Sequence, residues 1–183
     1  LCIPGESVCK INRNSSEEEL KKNYGEKYVK QDRIYLGEGD YVSGTKLFPR
    51  SKNEIEIIWK DNLNRSNPDR ILFHNQGCDW KTKDGISVGT SLNELEGLNG
   101  GPFRFFGFAW DYGGTISDWL NGALSNYYSN EKFILRLAYE KSDLKKLSSN
   151  ENFDFDGDVE FTSDFPSLHV VNPKVYEMVL IFK

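Results

Sequence analysis

Two stretches of the sequence give the clearest indication of the fold, "SSEEELKKNYG" at residues 15–25 and "TSLNELEGLNG" at residues 90–100. In each stretch a serine is followed three residues later by a glutamate, and the stretch ends on a glycine. The serine–glutamate pair caps the start of a helix, because each side chain binds the backbone amide of the other residue. Glycine is favoured where a left-handed cap ends a helix. The pattern predicts one capped, amphipathic helix of about ten residues in each stretch.

The two stretches belong to a longer internal repeat. With a constant offset of 75 positions and no gap, the matched positions have structural meaning: Ser16 with Ser91, Glu19 with Glu94, Leu20 with Leu95, Gly25 with Gly100, Tyr35 with Trp110 and Gly39 with Gly114. An Asn-Pro pair, at 67–68 and at 172–173, precedes the expected last strand of each copy. The period is too long for a solenoid, so the sequence predicts two tandem repeats.

Each predicted helix leads into strands, because apolar and polar residues alternate in the segments that follow it. In the first copy we expect strands at 33–36, 41–48, 54–60 and 70–74. In the second copy we expect strands at 103–111, 114–119, 132–140 and 174–182. A helix followed by antiparallel strands, twice, is typical of an α+β protein.

The predicted organisation is an N-terminal extension at 1–10, a first repeat at 11–75 and a second repeat at 76–183. The second repeat is longer because it carries an extra segment at about 142–168. A chain of 183 residues can bury roughly 70% of its unfolded surface, so a core can form without metal or many disulfides.

Composition excludes several functional classes. The net charge is −5 and the basic residues do not cluster, so we expect no nucleic-acid partner. The longest apolar runs, such as 179–182, are far too short to span a membrane. Aromatic residues make up 14% of the chain, so rings must supply much of the buried apolar area.

The cysteines and histidines do not form a metal-binding pattern. Cys2, Cys9 and Cys78 contain no CxxC pair, and His74 and His169 are far apart in the sequence. We therefore expect no zinc site and no other metal or cofactor. If the protein is exported, one disulfide is expected between Cys9 and either Cys2 or Cys78. The alternative is three unpaired thiols.

The stretch "VGTSLNELEGLNGGP", residues 88–102, resembles the helix motif of the SmpA/OmlA-type outer-membrane assembly lipoproteins. That motif runs from glycine through serine or threonine and an apolar helix position to Gly-x-Pro, and it is carried here by Gly89, Ser91, Leu95, Gly100 and Pro102. The first copy departs from the motif, since Asn14 replaces the leading glycine and Lys27 replaces the proline.

Two such units in tandem look like the β-lactamase inhibitor protein (BLIP-like) fold. The resemblance implies that each unit packs its helix on one face of an antiparallel sheet, and that the joined sheets present a concave face. It also implies a periplasmic protein, an outer-membrane lipoprotein or a secreted protein that binds another protein. The chain begins at Leu1-Cys2 without an initiator methionine, which is typical of a trimmed chain or of a mature form after removal of a leader.

The stretch "GPFRFFGFAWDYGG", residues 101–114, has the densest aromatic residues in the chain. Read as one strand, it places Phe103, Phe105, Gly107 and Ala109 on one face. The small residues on this face favour packing under the helix. The opposite face then carries the predicted partner-binding residues Arg104, Phe106, Phe108, Trp110 and Tyr112. The alternative is that these rings are core, covered by the segment 142–168.

A second stretch, "NFDFDGDVEF" at residues 152–161, fits two structures. Asn152, Asp154, Asp156 and Gly157 match the first half of a calcium loop, but Ser163 stands where the bidentate glutamate is expected. We favour a hairpin instead, with its loop at 156–158. In that hairpin Phe153 and Phe155 share a face with Val159 and Phe161.

No catalytic motif occurs in the sequence, since there is no glycine-rich phosphate loop and no nucleophile elbow. The leading hypothesis is a non-enzymatic cell-envelope or secreted protein that uses an aromatic sheet face to bind another protein. A small-ligand or lipid carrier is a second hypothesis. A hydrolase with a carboxylate pair such as Asp111 and Asp118 is a third. The exposure of Trp110 distinguishes an open binding face from a buried core.

Overall fold

The computed structural model describes residues 1–129, 131–148 and 153–182. Within these residues there are three α-helices, namely α1 (Glu17–Tyr24), α2 (Leu92–Asn99) and α3 (Pro166–Val171). The strands are β1 (Cys2–Ile3), β2 (Ser7–Val8), β3 (Ile11–Asn12), β4 (Val29–Gly37), β5 (Asp40–Leu47), β6 (Ile55–Asp61), β7 (Ser66–Phe73), β8 (Arg104–Phe106), β9 (Ile116–Asp118), β10 (Phe133–Ala138), β11 (Glu160–Thr162) and β12 (Lys174–Ile181). Short 3-10 helices span Glu26–Tyr28 and Asp143–Lys146. The protein therefore mixes helices with antiparallel sheets, as predicted.

The largest sheet has six antiparallel strands in the order β10-β12-β7-β6-β5-β4. A three-stranded sheet of order β11-β8-β9 lies beside its β10 edge. The two sheets are linked where Thr115 bridges Arg136 and the amide of Leu137 donates to the carbonyl of Gly114 at 2.8 Å. A third small sheet is formed by β1, β2 and β3.

The two faces of the six-stranded sheet have different surroundings, because successive side chains along a strand point to opposite faces. One face packs into the main core, where Ile57, Phe73 and Leu135 meet Leu20 of α1 and Leu95 of α2. The other face carries a separate, smaller apolar cluster made of Ile34, Ile58, Leu72 and Val179. The helices therefore cover only one side of the sheet.

Both predicted capping boxes are confirmed. Ser16 accepts the amide of Glu19 at 3.3 Å, and the carboxylate of Glu19 accepts the amide of Ser16 at 3.2 Å. Ser91 and Glu94 make the same pair of bonds at 3.3 Å and 2.8 Å. Each helix has eight residues, slightly fewer than expected.

The predicted glycine cap is confirmed at one helix and wrong at the other. Gly100 has φ 75° and ψ 18°, which is the left-handed conformation. Gly25 also has a positive φ of 96°, but its ψ is 139°. The chain turns there directly into the 3-10 helix Glu26–Tyr28, so it does not close with a left-handed cap.

Each helix start is tied to the start of a later strand. In the first half the amide of Glu17 donates to the carbonyl of Arg65 at 2.8 Å, and the amide of Asn67 donates to the carbonyl of Ser15 at 2.9 Å. These bonds hold the beginning of α1 against the beginning of β7.

The same two bonds recur in the second half. The amide of Leu92 donates to the carbonyl of Pro173 at 2.7 Å, and the amide of Val175 donates to the carbonyl of Thr90 at 2.8 Å. They hold the beginning of α2 against the beginning of β12. Corresponding isolated bridges join Ser16 to Ser66 and Ser91 to Lys174.

The predicted strands at 103–111 and 114–119 are too long. Only Arg104–Phe106 and Ile116–Asp118 are strands. Ala109 has a positive φ of 65°, which breaks the extended conformation. A Cβ on Gly114 would collide with the backbone of Leu137, so this glycine lets the turn lie directly against β10.

The predicted hairpin around residues 156–158 is also wrong. Its two arms bind the segment 106–108 instead of each other. The amide of Phe108 donates to the carbonyl of Phe155 at 2.6 Å, and the amide of Gly107 donates to the carbonyl of Val159 at 2.8 Å. Val159 is 55% exposed, whereas Phe155 is 5% exposed, so these two side chains do not share a face.

The expected disulfide is not present, because Cys2, Cys9 and Cys78 are all free thiols. Cys2 is buried in the main core while Cys9 is exposed. Burial raises the pKa of the Cys2 thiol to about 12, which keeps it protonated and unreactive at neutral pH. None of the helices described above has the length and apolar character needed to cross a membrane.

Loss of a helix cap gives a first test of this architecture. Ser91→Ala removes the acceptor for the amide of Glu94 and should lower the free energy of unfolding by about 1 kcal/mol. Ser142→Ala is the control, because Ser142 precedes a 3-10 helix without making a side-chain cap bond. Chemical denaturation of both variants measures the difference. Equal losses would contradict the role of the capping box.

Candidate functional site: the uncovered face of the six-stranded sheet

A groove of about 610 Å³ lies over the sheet face that the helices leave uncovered. We call it the sheet groove. One wall is the β4–β5 hairpin tip, residues 35–40, and the other wall is formed by Asp111 and Tyr112. Both walls are solvent-exposed, so the groove opens to the surface.

The floor of the groove is apolar near its centre. Ile58 of β6, Leu72 of β7 and Val179 of β12 lie side by side and are 4–7% exposed. Ile134 of β10 extends this floor toward the wall that carries Tyr112. Strands from both halves of the chain therefore build one continuous surface.

A row of alternating charges runs across the strands beside the apolar floor. Lys46 Nζ lies 2.9 Å from Glu56 Oε1. Glu56 Oε2 lies 3.5 Å from His74 Nε2, and His74 Nδ1 lies 3.6 Å from Glu177 Oε2. Glu177 Oε1 in turn lies 3.3 Å from Arg136 Nε. Each carboxylate in the row is thus shared by two basic side chains.

The row shifts the protonation of its members. Burial opposes protonation of His74, but the carboxylates of Glu56 and Glu177 outweigh this effect and raise the pKa of His74. Burial also raises the pKa of Glu56, yet hydrogen bonding to His74 and Lys46 dominates and lowers that pKa overall. Glu56 is therefore ionised at neutral pH and has no proton to donate.

The structure brings together three of the predicted binding residues. We call Phe106, Trp110 and Tyr112 the ring cluster. The ring centroids of Phe106 and Trp110 are 5.9 Å apart, and those of Trp110 and Tyr112 are 5.4 Å apart. Trp110 is half-buried and Tyr112 is 56% exposed. Tyr112 lines the sheet groove, and Trp110 lines a shallower pocket of about 310 Å³ beside it.

Phe108 is a correction to the sequence-based prediction. It is 5% exposed and belongs to the main core. Its ring lies 5.4 Å from Phe105, 5.0 Å from Tyr139 and 6.3 Å from Phe153. The strand ends at Phe106, so the alternation of faces stops before Phe108. For this one residue the alternative interpretation holds, namely that its ring belongs to the core. Phe153, from the extra segment 142–168, covers it.

Arg104 does not join the ring cluster. Its guanidinium lies 3.5 Å from Glu160 of β11, within the three-stranded sheet. Arg104 is not among the described residues that line the groove. Sequence alternation placed it beside the rings, but its guanidinium is instead paired with the adjacent strand β11.

Sequence reasoning missed the charged row and the groove itself. A local signal existed, since Glu56 and Ile58 alternate with residues of the main core in "EIEIIWK". Such alternation identifies an outward face. It does not say which other strands share that face, and Glu177 comes 103 positions after His74.

The structure does not bring the hypothetical carboxylate pair together. Asp111 lines the groove, but Asp118 ends β9 and accepts the amide of Leu120 at 2.8 Å. No cluster of three histidine, cysteine or acidic side chains suited to a metal ion occurs in the described parts of the chain. Asn152, the first residue of the hypothetical calcium loop, lies outside the described residues.

Comparison with known proteins gives no family assignment. No protein-family model, no curated protein and no solved structure matches the chain.

Two substitutions distinguish the core from the ring cluster. Phe108→Ala opens a cavity among packed rings and should lower the free energy of unfolding by about 3–5 kcal/mol. Trp110→Ala should lower it by only about 1–2 kcal/mol, because Trp110 already contacts solvent. Denaturant unfolding of the two variants provides the comparison. A larger loss for Trp110→Ala would mean that Trp110 is core and unsuited to binding.

The charged row predicts a specific pH dependence of stability. The pKa of His74 is raised in the folded state. The protonated side chain therefore makes its full contribution to the free energy of unfolding below the unfolded-state pKa of about 6.5. That contribution is lost as the pH rises through the folded-state pKa. His74→Gln should therefore cost less than about 1 kcal/mol near pH 5.5, since solvent screens the row. That cost should shrink toward zero as the pH rises through the raised folded-state pKa. Unfolding of both proteins across this range measures the difference, and a cost that grows with pH would refute the assignment.

Proposed function

We propose that this chain is a non-enzymatic binding module of the cell envelope, or a secreted one, and that the sheet groove and the ring cluster contact a protein partner. The observation that carries the proposal is an uncovered sheet face with an apolar floor and an exposed aromatic wall. The floor itself is nearly buried, so the apolar area open to a partner lies on the walls. Exposed apolar side chains mark interaction sites, and aromatic rings supply much of the binding energy at such sites.

Exposed apolar side chains on the opposite wall support the same function. Tyr35 is 52% exposed and Leu36 is 53% exposed, and both line the groove at the hairpin tip. Tyr112 faces them from the second wall. A partner segment seated between the walls would bury apolar side chains from both sides, with the polar rim that interfaces usually have.

The groove fits a carrier of apolar ligands less well. Carrier sites enclose most of the ligand and have few polar groups. Here the walls are open to solvent, and Glu56, His74, Glu177 and Arg136 all line the groove. A lipid tail would have to lie against this charged row, which favours a protein partner instead.

A hydrolase is also less well supported. Its carboxylates would need one group that holds a proton and another that does not. Glu56 is held ionised by His74 and Lys46, and Glu177 is shared between His74 and Arg136. Both carboxylates serve to hold neighbouring strands and side chains in place.

We also propose that the architecture is a BLIP-like tandem repeat, with repeats at 11–75 and 76–183 after an extension at 1–10. Support comes from the two bonds between helix start and last strand that recur in both halves. The antiparallel pairing of β7 with β12 gives further support, because it places the last strands of the two repeats side by side. In this arrangement the groove floor lies across the junction of the repeats.

Site-directed photocrosslinking tests the function. Tyr112 is replaced by the photoreactive amino acid p-benzoylphenylalanine in cells that produce the protein, and the same replacement is made at Tyr127. The two tyrosines are 56% and 50% exposed, but only Tyr112 lines the groove. We expect a discrete crosslinked protein from position 112 and none from position 127. Identical products from the two positions, or none from 112, would rule out the groove as the binding surface.

A further inference from the structure

The charge of the sheet groove indicates the chemistry of its partner. The residues that line it carry two basic groups, Arg70 and Arg136, beside His74. The acidic residues outnumber them: Glu38, Asp40, Glu56, Asp111 and Glu177. The groove is therefore negatively charged even before its internal ion pairs are considered.

Ion pairing divides these groups into two sets. Arg136 is engaged by Glu177, as described above, and Arg70 Nε lies 2.8 Å from Asp69 Oδ2. The carboxylates of Glu38, Asp40 and Asp111 have no ion pair or hydrogen bond to any described residue. We call these three residues the wall carboxylates. Both basic groups are thus neutralised locally, while three negative charges stay unpaired.

The wall carboxylates lie on both sides of the floor. Glu38 and Asp40 belong to the hairpin tip on one wall, and Asp111 belongs to the other wall. All three are exposed, so they stay hydrated until a partner arrives. A cation entering the groove would meet a carboxylate from either direction.

Tyrosine rings accompany these carboxylates. Tyr35, Tyr112 and Tyr176 line the same groove. The face of a tyrosine ring attracts an ammonium or guanidinium group. The Tyr112 ring already has the Arg136 guanidinium 5.8 Å from its centroid. Carboxylates and ring faces together suit the basic ends of lysine and arginine, and the apolar floor suits their aliphatic stems.

We infer that the partner protein inserts a basic segment into the sheet groove, with its lysine or arginine side chains between the wall carboxylates and against the tyrosine rings. The inference rests on the proposed function of the groove as a protein-binding surface. Charge complementarity of this kind speeds association and excludes partners whose matching surface is acidic.

A defined peptide tests the charge preference without knowledge of the partner. Blocked hexa-arginine is titrated into the full chain by calorimetry at low ionic strength, and blocked hexa-glutamate serves as the probe of opposite charge. The groove variant combines Glu38→Gln, Asp40→Asn and Asp111→Asn. The control variant combines Glu26→Gln, Asp158→Asn and Asp164→Asn, which are exposed positions outside the groove. Both variants change the net charge equally, and thermal unfolding checks that both are folded.

We expect hexa-arginine to bind the wild type and hexa-glutamate not to bind. The groove variant should weaken hexa-arginine binding about tenfold or more, and the control variant should weaken it less than about threefold. Equal losses in the two variants would mean that only the net charge of the chain attracts the peptide, and would overturn the inference. Binding of hexa-glutamate in the groove would overturn it as well.

The crosslinked partner separates this inference from the proposed function. If p-benzoylphenylalanine at position 112 captures a partner and the groove variant abolishes capture, both are supported. If capture persists undiminished in the groove variant, the binding function stands and the basic character of the partner is refuted. If position 112 captures nothing while hexa-arginine still depends on the wall carboxylates, the proposed function fails although the charge preference of the groove holds.

Discussion

The whole architecture is built around the antiparallel pairing of β12 with β7. This pairing joins Met178 to Phe73 and Ile181 to Arg70 across the sheet, and so it merges the two halves of the chain into one six-stranded sheet. The side chains of Phe73, Met178 and Leu180 then enter a single core. Without this pairing each half would have only a small sheet with an open edge, which is a poor basis for stability and a risk for aggregation.

The same pairing creates the candidate site. It sets Glu177 of β12 beside His74, which follows β7, and it sets Val179 beside Leu72. The charged row and the apolar floor therefore both depend on the register in which β12 pairs with β7. A shift by one residue would turn every side chain of β12 to the opposite face, and would place Met178 and Leu180 in the groove while the charges entered the core.

The uncovered face combines two requirements that usually conflict. A face that binds another protein needs exposed apolar area, but a soluble sheet needs polar groups to keep it hydrated. Here the apolar floor is narrow and nearly buried, the charges beside it neutralise one another, and the exposed rings stand on the walls. This division leaves a surface that is compatible with water and that also presents the rings and unpaired carboxylates on which the proposed partner binding depends.

The local features could be predicted from the sequence. Ser16 with Glu19 and Ser91 with Glu94 predicted both helix starts, because a capping box is closed by bonds that reach only three residues.

Alternation predicted most long strands, although β4 extends to Val29–Gly37 where only 33–36 was expected. Alternation failed at 103–111, because contacts with the segment 155–159 and a left-handed Ala109 end the strand early and send Phe108 into the core. Which strands share a face depends on long-range contacts, and these contacts place Asp111, His74 and Glu177 around one groove. These residues lie far apart in the chain, and their approach depends on the closure of the whole sheet, which no short window of sequence encodes.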